Sequence, residues 1–253
     1  NEIKNAVRSA QVPIGEFFMS TLSNEDAAYG MDSQPFLATS YEGAAKLWAA
    51  QKPEITKLLA RQDLLPLFSV PWPPQGLYTK SEIKTVADLN GLKFRAYNAS
   101  LEAFAKYAGA APVQIEAADI PQAFSTGQAE AMITSPSTGA STKAWDYVSH
   151  YTPINAWIPK NIVVVNKAAF DALDDATKKS VLTAAAAAEA RGWEMSKKET
   201  ESQTAVLKQN GMTIIEPSAE LLQGLQEIGT KMKIDWDKSA SAEAKTILDT
   251  FNK

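Results

Sequence analysis

Cysteine is absent from the 253 residues, which excludes a disulfide scaffold and a thiol nucleophile. No apolar run approaches the ~20 residues that a membrane-spanning helix needs. The only histidine is His150, which severely limits metal sites and acid–base chemistry that depend on imidazole. Dinucleotide, P-loop, zinc-protease and nucleophile-elbow signatures are also missing. We therefore expect no metal, no cofactor and no catalytic residues.

An excess of positive charge is missing as well. The formal net charge is −4, whereas a nucleic-acid-binding surface needs a basic stripe, so no nucleic-acid partner is expected. Apolar residues make up 45% of the chain and charged ones 21%, as in ordinary soluble globular proteins. The length is sufficient for two lobes, each with its own core.

Strand-like and helix-like segments follow one another along the chain. The apolar segments Leu64–Val70 and Ala129–Ile133 are typical of buried strands. The patterns over Tyr41–Gln51 and Pro53–Gln62 predict two successive helices. A very long helix is predicted to begin at Asp174 or Asp175 and to end at Asn210-Gly211, a typical C-terminal stop signal.

The segment from Val86 to Asn98, VADLNGLKFRAYN, carries the most chemical information. Its DLNG portion predicts a turn, and the alternation that follows predicts a strand with Arg95 near its carboxyl end. Asn98 then offers a cap for a helix through about Tyr107. Ligand crevices in open α/β sheets lie outside the carboxyl ends of strands, and a guanidinium there suits a carboxylate. A surface arginine in a minor salt bridge is the alternative interpretation.

This segment resembles the "DL-x-G-x-K-x-R" string of DctP-type substrate-binding proteins of TRAP transporters. Further similarities follow in the same order as in that family: GQVDIG-like Gln11–Gly15, PFL at Pro35–Leu37, LGAxP-like Gly109–Val113, ALQTG-like Ala123–Gly127 and VVVNKAAF at Val163–Phe170. The chain is identified on these motifs as a member of the family, and the resemblance covers nearly all of it.

The resemblance implies an α/β fold of two lobes that close like a clamshell, with the long helix running along both. It places residues 1–72 and about 163–205 in lobe I, and 73–162 and about 206–253 in lobe II. Members of the family begin with a strand, a helix and a strand ahead of this point, so we expect roughly fifty further residues before Asn1.

The resemblance also implies a carboxylate site centred on Arg95. Many members carry a second arginine near Gln75, so a neutral donor here indicates a ligand without a second strong charge. Ser135 stands where the family more often has an asparagine, and Thr134 precedes it. Asn155 is a candidate for the missing amide. Helix capping by Thr134 and Ser135, and a turn role for Asn155, are the alternatives.

Aromatic residues are expected to surround the body of the ligand. The candidates are Phe17, Phe18, Trp72, Tyr97 and Trp157, with Asn98 beside them. Together they suit an aromatic or bulky apolar acid. Core packing is the alternative for Phe17 and Phe18.

The function implied is that of an extracytoplasmic solute-binding protein. It would bind a small organic acid in the periplasm and deliver it to the TRAP membrane permease, acting as a monomer and not as an enzyme. A ligand-sensing domain of a receptor or regulator is the alternative, and would need a DNA-binding or transmembrane segment. An enzyme would need a nucleophile or base in the cleft, where only hydroxyls are available.

Overall fold

A computed structural model describes residues 2–253 and contains two β-sheets covered by helices. The strands are β1 (Ile14–Phe18), β2 (Leu64–Pro71), β3 (Gly76–Thr79), β4 (Lys93–Ala96), β5 (Ala111–Gln114), β6 (Ala131–Thr134), β7 (His150–Thr152), β8 (Lys160–Asn166) and β9 (Thr213–Ile214). The helices are α1 (Glu2–Arg8), α2 (Tyr41–Ala60), α3 (Ala99–Tyr107), α4 (Ile120–Ser125), α5 (Pro136–Ser141), α6 (Lys167–Asp171), α7 (Asp175–Gln209), α8 (Ala219–Ser239) and α9 (Ala242–Phe251). This mixed α/β composition agrees with the predicted fold class.

The first lobe is built on a three-stranded antiparallel sheet of order β1-β8-β2. Its core joins this sheet to α2 and includes Leu47, Ile55 and Ile162. The last helix, α9, packs into the same core through Ala244 and Ile247. The predicted lobe boundaries stay a prediction, and this packing supports moving α9 into the first lobe.

The second lobe is built on a six-stranded sheet of order β5-β4-β6-β3-β7-β9. Adjacent residues of a strand point to opposite faces, so Leu77 and Tyr78 of β3 enter two different cores. Strand β4 lies between β5 and β6 and runs parallel to both. The carboxyl ends of these three strands therefore meet at one edge of the sheet, which faces the first lobe.

The long helix α7 joins both lobes. Asp174 caps its amino end by accepting from Thr177 N at 2.9 Å, and Asn210 follows its last turn, which confirms the predicted ends. On the first lobe, Glu189 accepts from Ser69 N at 2.8 Å and Trp193 Nε1 donates to Ser69 O at 3.1 Å. Since β2 is an edge strand, these contacts satisfy its outward backbone groups. Farther along, Leu207 is buried in a core of the second lobe.

One helix replaces the two that were predicted over Tyr41–Gln51 and Pro53–Gln62. The structure has α2 running through Pro53 without a break, so that prediction was wrong. Proline removes one backbone donor, which leaves the carbonyl of Ala49 without its helical partner. Both residues lie on the exposed face of α2, where water can replace the lost hydrogen bond.

Candidate ligand-binding site

A cavity of about 240 Å³ lies between the two lobes. Its second-lobe wall comes from the edge where β4, β5 and β6 end, and its first-lobe wall from residues after β1 and β2 and around the start of β8. The lining residues are Phe18, Thr21, Trp72, Gln75, Arg95, Tyr97, Glu116, Ala117, Thr134, Ser135, Thr138, Pro159 and Asn161. This position agrees with the general rule for ligand crevices in α/β sheets.

Arg95 is the buried cation of the cavity. The residue is 3% exposed, and its Nε donates to the carbonyl of Ile115 at 2.9 Å. Among residues 2–253, no carboxylate lies within ion-pair distance of the guanidinium, and its terminal nitrogens donate to no other described group. Burial lowers the pKa of Arg95, while nearby Tyr97 and Glu116 oppose that shift. The guanidinium stays charged because its ordinary pKa is so high. An anion entering the cavity would meet a positive charge held in place.

A chain of hydrogen bonds fixes the groups next to Arg95. Trp157 Nε1 donates to Tyr97 Oη at 3.0 Å, and Tyr97 Oη donates to Gln75 Oε1 at 3.2 Å. Gln75 Nε2 in turn donates to the carbonyl of Pro73 at 2.8 Å. The Gln75 amide is therefore oriented, and one hydrogen on its nitrogen is still free to donate. Burial raises the pKa of Tyr97, which keeps its hydroxyl protonated.

Aromatic rings form the wall on the first-lobe side. Phe18 meets Tyr97 edge to face, with ring centroids 5.6 Å apart, and so links the two lobes. Trp72 Nε1 donates to Asn161 Oδ1 at 2.9 Å, and Asn161 Nδ2 donates to Glu16 Oε1 at 2.7 Å. These bonds hold the Trp72 ring at the cavity and present its apolar surface.

Ser135 caps the helix that follows it. Its Oγ accepts from Thr138 N at 3.0 Å and lies 3.1 Å from Thr138 Oγ1, to which it donates. The alternative interpretation of Ser135 as a capping residue is thus confirmed. Its position on the cavity wall, next to Thr134, leaves a ligand contact as a prediction.

The structure brings together seven of the eleven residues proposed from sequence. Those lining the cavity are Phe18, Trp72, Gln75, Arg95, Tyr97, Thr134 and Ser135. The other four lie elsewhere, and ligand contacts by them stay predictions. Phe17 is in the first-lobe core, and Trp157 lies behind Tyr97. Asn98 caps α3 and donates to Ser20 Oγ at 2.9 Å, while Asn155 is exposed in a left-handed turn conformation.

Several lining residues were missed in the sequence. Glu116 and Ala117 lie two and three residues beyond the end of β5, and Thr138 lies in the first turn of α5. Thr21 lies in a short 3-10 helix, Met19–Leu22, that follows β1, and Pro159 directly precedes β8. Glu116 stands just beyond β5, and only the pairing of β5 with β4 brings it to the Arg95 edge of the sheet. Parallel neighbours end at the same sheet edge.

A fully buried ion pair of the first lobe, Lys160 with Asp32, lies next to the cavity. Lys160 Nζ lies 3.4 Å from Asp32 Oδ2, and the Lys160 backbone N–H donates to the same oxygen at 2.9 Å. Burial raises the pKa of Asp32 and lowers that of Lys160, and their attraction opposes both shifts. Because Lys160 lies between Pro159 and Asn161, the pair positions a segment that lines the cavity.

The described residues contain neither a candidate metal site nor a candidate membrane-spanning helix. No group of three or more histidine, aspartate or glutamate side chains in residues 2–253 is arranged to hold a metal ion. Over the same residues, no helix is long and apolar enough to cross a membrane.

Comparison with known families decides the classification. The family of bacterial extracellular solute-binding proteins, family 7, called DctP, matches residues 1–242. The chain belongs to this DctP family. Since the family consists of solute-binding proteins, this DctP chain is a binding protein for transport and not an enzyme.

Solved structures with the same fold agree. DctP7 of Bordetella pertussis, an extracytoplasmic solute receptor binding pyroglutamic acid, is 42% identical with a TM-score of 0.97, over 100% of this chain and 84% of that one. DctP6 of the same organism, also binding pyroglutamic acid, is 44% identical with a TM-score of 0.96, over 99% and 83%. A marine metagenome TRAP solute-binding protein specific for pyroglutamate is 43% identical with a TM-score of 0.94, over 99% and 83%. The predicted clamshell fold and family are therefore confirmed.

Proposed function

We propose that this DctP chain is the periplasmic receptor of a TRAP transporter and binds a small monocarboxylic acid of the pyroglutamate type. The observation that carries the proposal is Arg95, which is buried, charged and without an ion-pair partner among the described residues. A guanidinium in this situation gains two parallel charge-assisted hydrogen bonds when a carboxylate arrives.

The rest of the cavity suits a small cyclic acid. Its volume of about 240 Å³ is below the usual range for drug-sized ligands. The Gln75 amide and the Thr134 hydroxyl are neutral partners for an amide or hydroxyl of the ligand. Trp72, Tyr97 and Phe18 offer flat apolar surfaces to an aliphatic ring. Three relatives at 42–44% identity bind pyroglutamate or pyroglutamic acid, which supports this class of ligand.

The shape of the site supports the proposal that the receptor delivers its ligand to the membrane permease. Both lobes contribute walls, so the ligand stabilises the arrangement in which the lobes are closed around it. A permease that contacts both lobes can distinguish this state from the open one. We expect the receptor to work as a monomer and without a cofactor.

A thermal-shift assay tests the ligand class with a matched pair of compounds. Pyroglutamate at about 100 times its dissociation constant should raise Tm by about 5–10 °C. Pyroglutamide, in which a neutral amide replaces the carboxylate, should leave Tm unchanged. Equal shifts with both compounds, or no shift with pyroglutamate and a panel of related acids, would contradict the proposal.

A further inference from the structure

Two charged residues face the cavity, and they carry opposite signs. Among the described residues that line it, Arg95 and Glu116 alone are charged. The two are connected, because Arg95 Nε donates at 2.9 Å to the carbonyl of Ile115, the residue just before Glu116. The Glu116 charge also opposes the lowering of the Arg95 pKa by burial, as expected for groups close in space.

The Glu116 carboxylate is free to act on a ligand. It is exposed at the mouth of the cavity and, within the described residues, has no ion-pair or hydrogen-bond partner. It also does not cap the short 3-10 turn, Ala117–Asp119, that it precedes. No structural role within the described part of the fold therefore accounts for its charge.

We infer that Glu116 selects the charge of the ligand, disfavouring acids that carry a second negative group. This inference rests on the proposed function, because it assumes that Arg95 holds the first carboxylate. A second carboxylate in this cavity would meet no second cation, since the opposing polar group is the neutral Gln75 amide. It would instead lie in the repulsive field of Glu116. The cavity thus favours monoanions such as lactam acids over dicarboxylates of the same length.

The size of the effect follows from Coulomb repulsion at an exposed position. Water screens Glu116 strongly, so the field changes affinity by roughly fivefold for each ligand charge. Every negative charge of the ligand experiences this field. Removing the Glu116 charge should therefore improve the binding of a dianion more than that of a monoanion. The ratio of the two affinities thus measures the effect of the Glu116 charge.

The test compares two variants that lose the same charge. Glu116→Gln removes the carboxylate at the cavity, and Asp119→Asn removes one three residues away that does not line it. The ligands are glutarate and glutaramate, which have nearly the same shape but differ by one negative charge. Their dissociation constants are measured by competition against pyroglutamate in calorimetry, at low salt and in about 0.5 M NaCl, roughly three times physiological ionic strength.

We expect E116Q to improve the affinity for glutarate relative to glutaramate by about fivefold at low salt, and less at high salt. D119N should leave the ratio within about twofold, since its charge is farther from the site. An unchanged ratio in E116Q, an equal change in D119N, or no measurable glutarate binding by E116Q would overturn the inference. Pyroglutamate binding by the unmodified chain separates the two claims: if it is present, only the role of Glu116 fails, and if it is absent, the proposed function fails.

Discussion

The Tyr97 side chain holds several groups of the cavity in place. Its hydroxyl accepts from Trp157 and donates to Gln75, while its ring lies 4.9 Å from the Arg95 guanidinium carbon. The ring also contacts Phe18 across the lobes. Tyr97 thus orients the Gln75 amide, packs against the Arg95 guanidinium and contacts Phe18 of the first lobe.

Replacing Tyr97 with phenylalanine should destabilise the protein without changing its packing volume. The change leaves Trp157 Nε1 and Gln75 Oε1 without a partner, and each unsatisfied buried group costs about 1–3 kcal/mol. Urea unfolding should show a loss of free energy of about 2–6 kcal/mol, because two groups lose their partner. Tyr107→Phe is the control, because that hydroxyl bonds to Asp235 at an exposed position. Equal stability of Y97F and the unmodified chain would contradict the role given to Tyr97.

Sequence reasoning reached some of the site residues and missed others for definable reasons. Strand alternation and a following cap residue placed Arg95 at a sheet edge, and the family resemblance then favoured a carboxylate site over a surface salt bridge. Trp157 was assigned to the ligand, but the loop pairs with the Gln75 backbone, and this directs the indole behind Tyr97. Glu116 was missed because only tertiary strand order brings the end of β5 next to Arg95. Local patterns do not contain that information.

Among the helices, α7 depends on close approach to β2. A Cβ atom at Gly192 would lie 2.5 Å from Val70 Cγ2, so glycine is required for the helix to pack this closely. The neighbouring Trp193 and Glu189 then reach the Ser69 backbone. These contacts hold α7 against the first lobe, close in sequence to the cavity residue Trp72.

Gly192→Ala should therefore lower stability, although the same change in a free helix raises it. Alanine gains about 1 kcal/mol in helix propensity, but overpacking against Val70 costs about 1–3 kcal/mol. We expect a net loss of free energy of unfolding, measured in urea. Ala187→Gly, at an exposed position of the same helix, is the control and should lose about 1 kcal/mol. A stabilised G192A variant would contradict the close packing of α7 on β2.

Helices with strong end signals could be predicted, and short strands or irregular ones could not. Asp174 and Asn98 each cap a helix as predicted, because a side-chain acceptor followed by a periodic segment is a local signal. The course of α2 through Pro53 could not be predicted from the local sequence. A proline is tolerated there because the carbonyl that loses its partner faces solvent, and the tertiary fold decides which face is exposed. Strand β9 has only two residues, Thr213 and Ile214, because its length is set by pairing with β7 and not by a local pattern.

The two lobes contact each other through hydrogen bonds that depend on their relative position. Asn98 Nδ2 of the second lobe donates to Ser20 Oγ of the first at 2.9 Å, and Ser100 Oγ donates to the Ser33 carbonyl at 2.9 Å. These bonds close the molecule beside the cavity. Opening of the lobes would break them, so they contribute to the stability of the closed form.

Ser20→Ala should shift the balance between closed and open forms. The variant loses one interlobe bond, worth about 0.5–1.5 kcal/mol, and keeps the helix cap made by Asn98. Ligand affinity should fall roughly two- to tenfold, because binding must restore more of the closed form. Calorimetry gives the affinity and small-angle X-ray scattering the change in radius of gyration on binding. Ser125→Ala, at an exposed site, is the control, and equal affinities in the two variants would contradict this account.

Calorimetry of Arg95 variants with pyroglutamate tests the central claim most directly. Arg95→Ala should weaken binding by about 3–5 kcal/mol, a hundredfold or more, since it removes the buried partner of the ligand carboxylate. Arg95→Lys should also lose much of the affinity, because a single ammonium cannot reproduce the planar fork. Circular dichroism must show that both variants are folded. An affinity of Arg95→Ala within a few-fold of the unmodified chain would contradict the assignment of Arg95 as the carboxylate anchor.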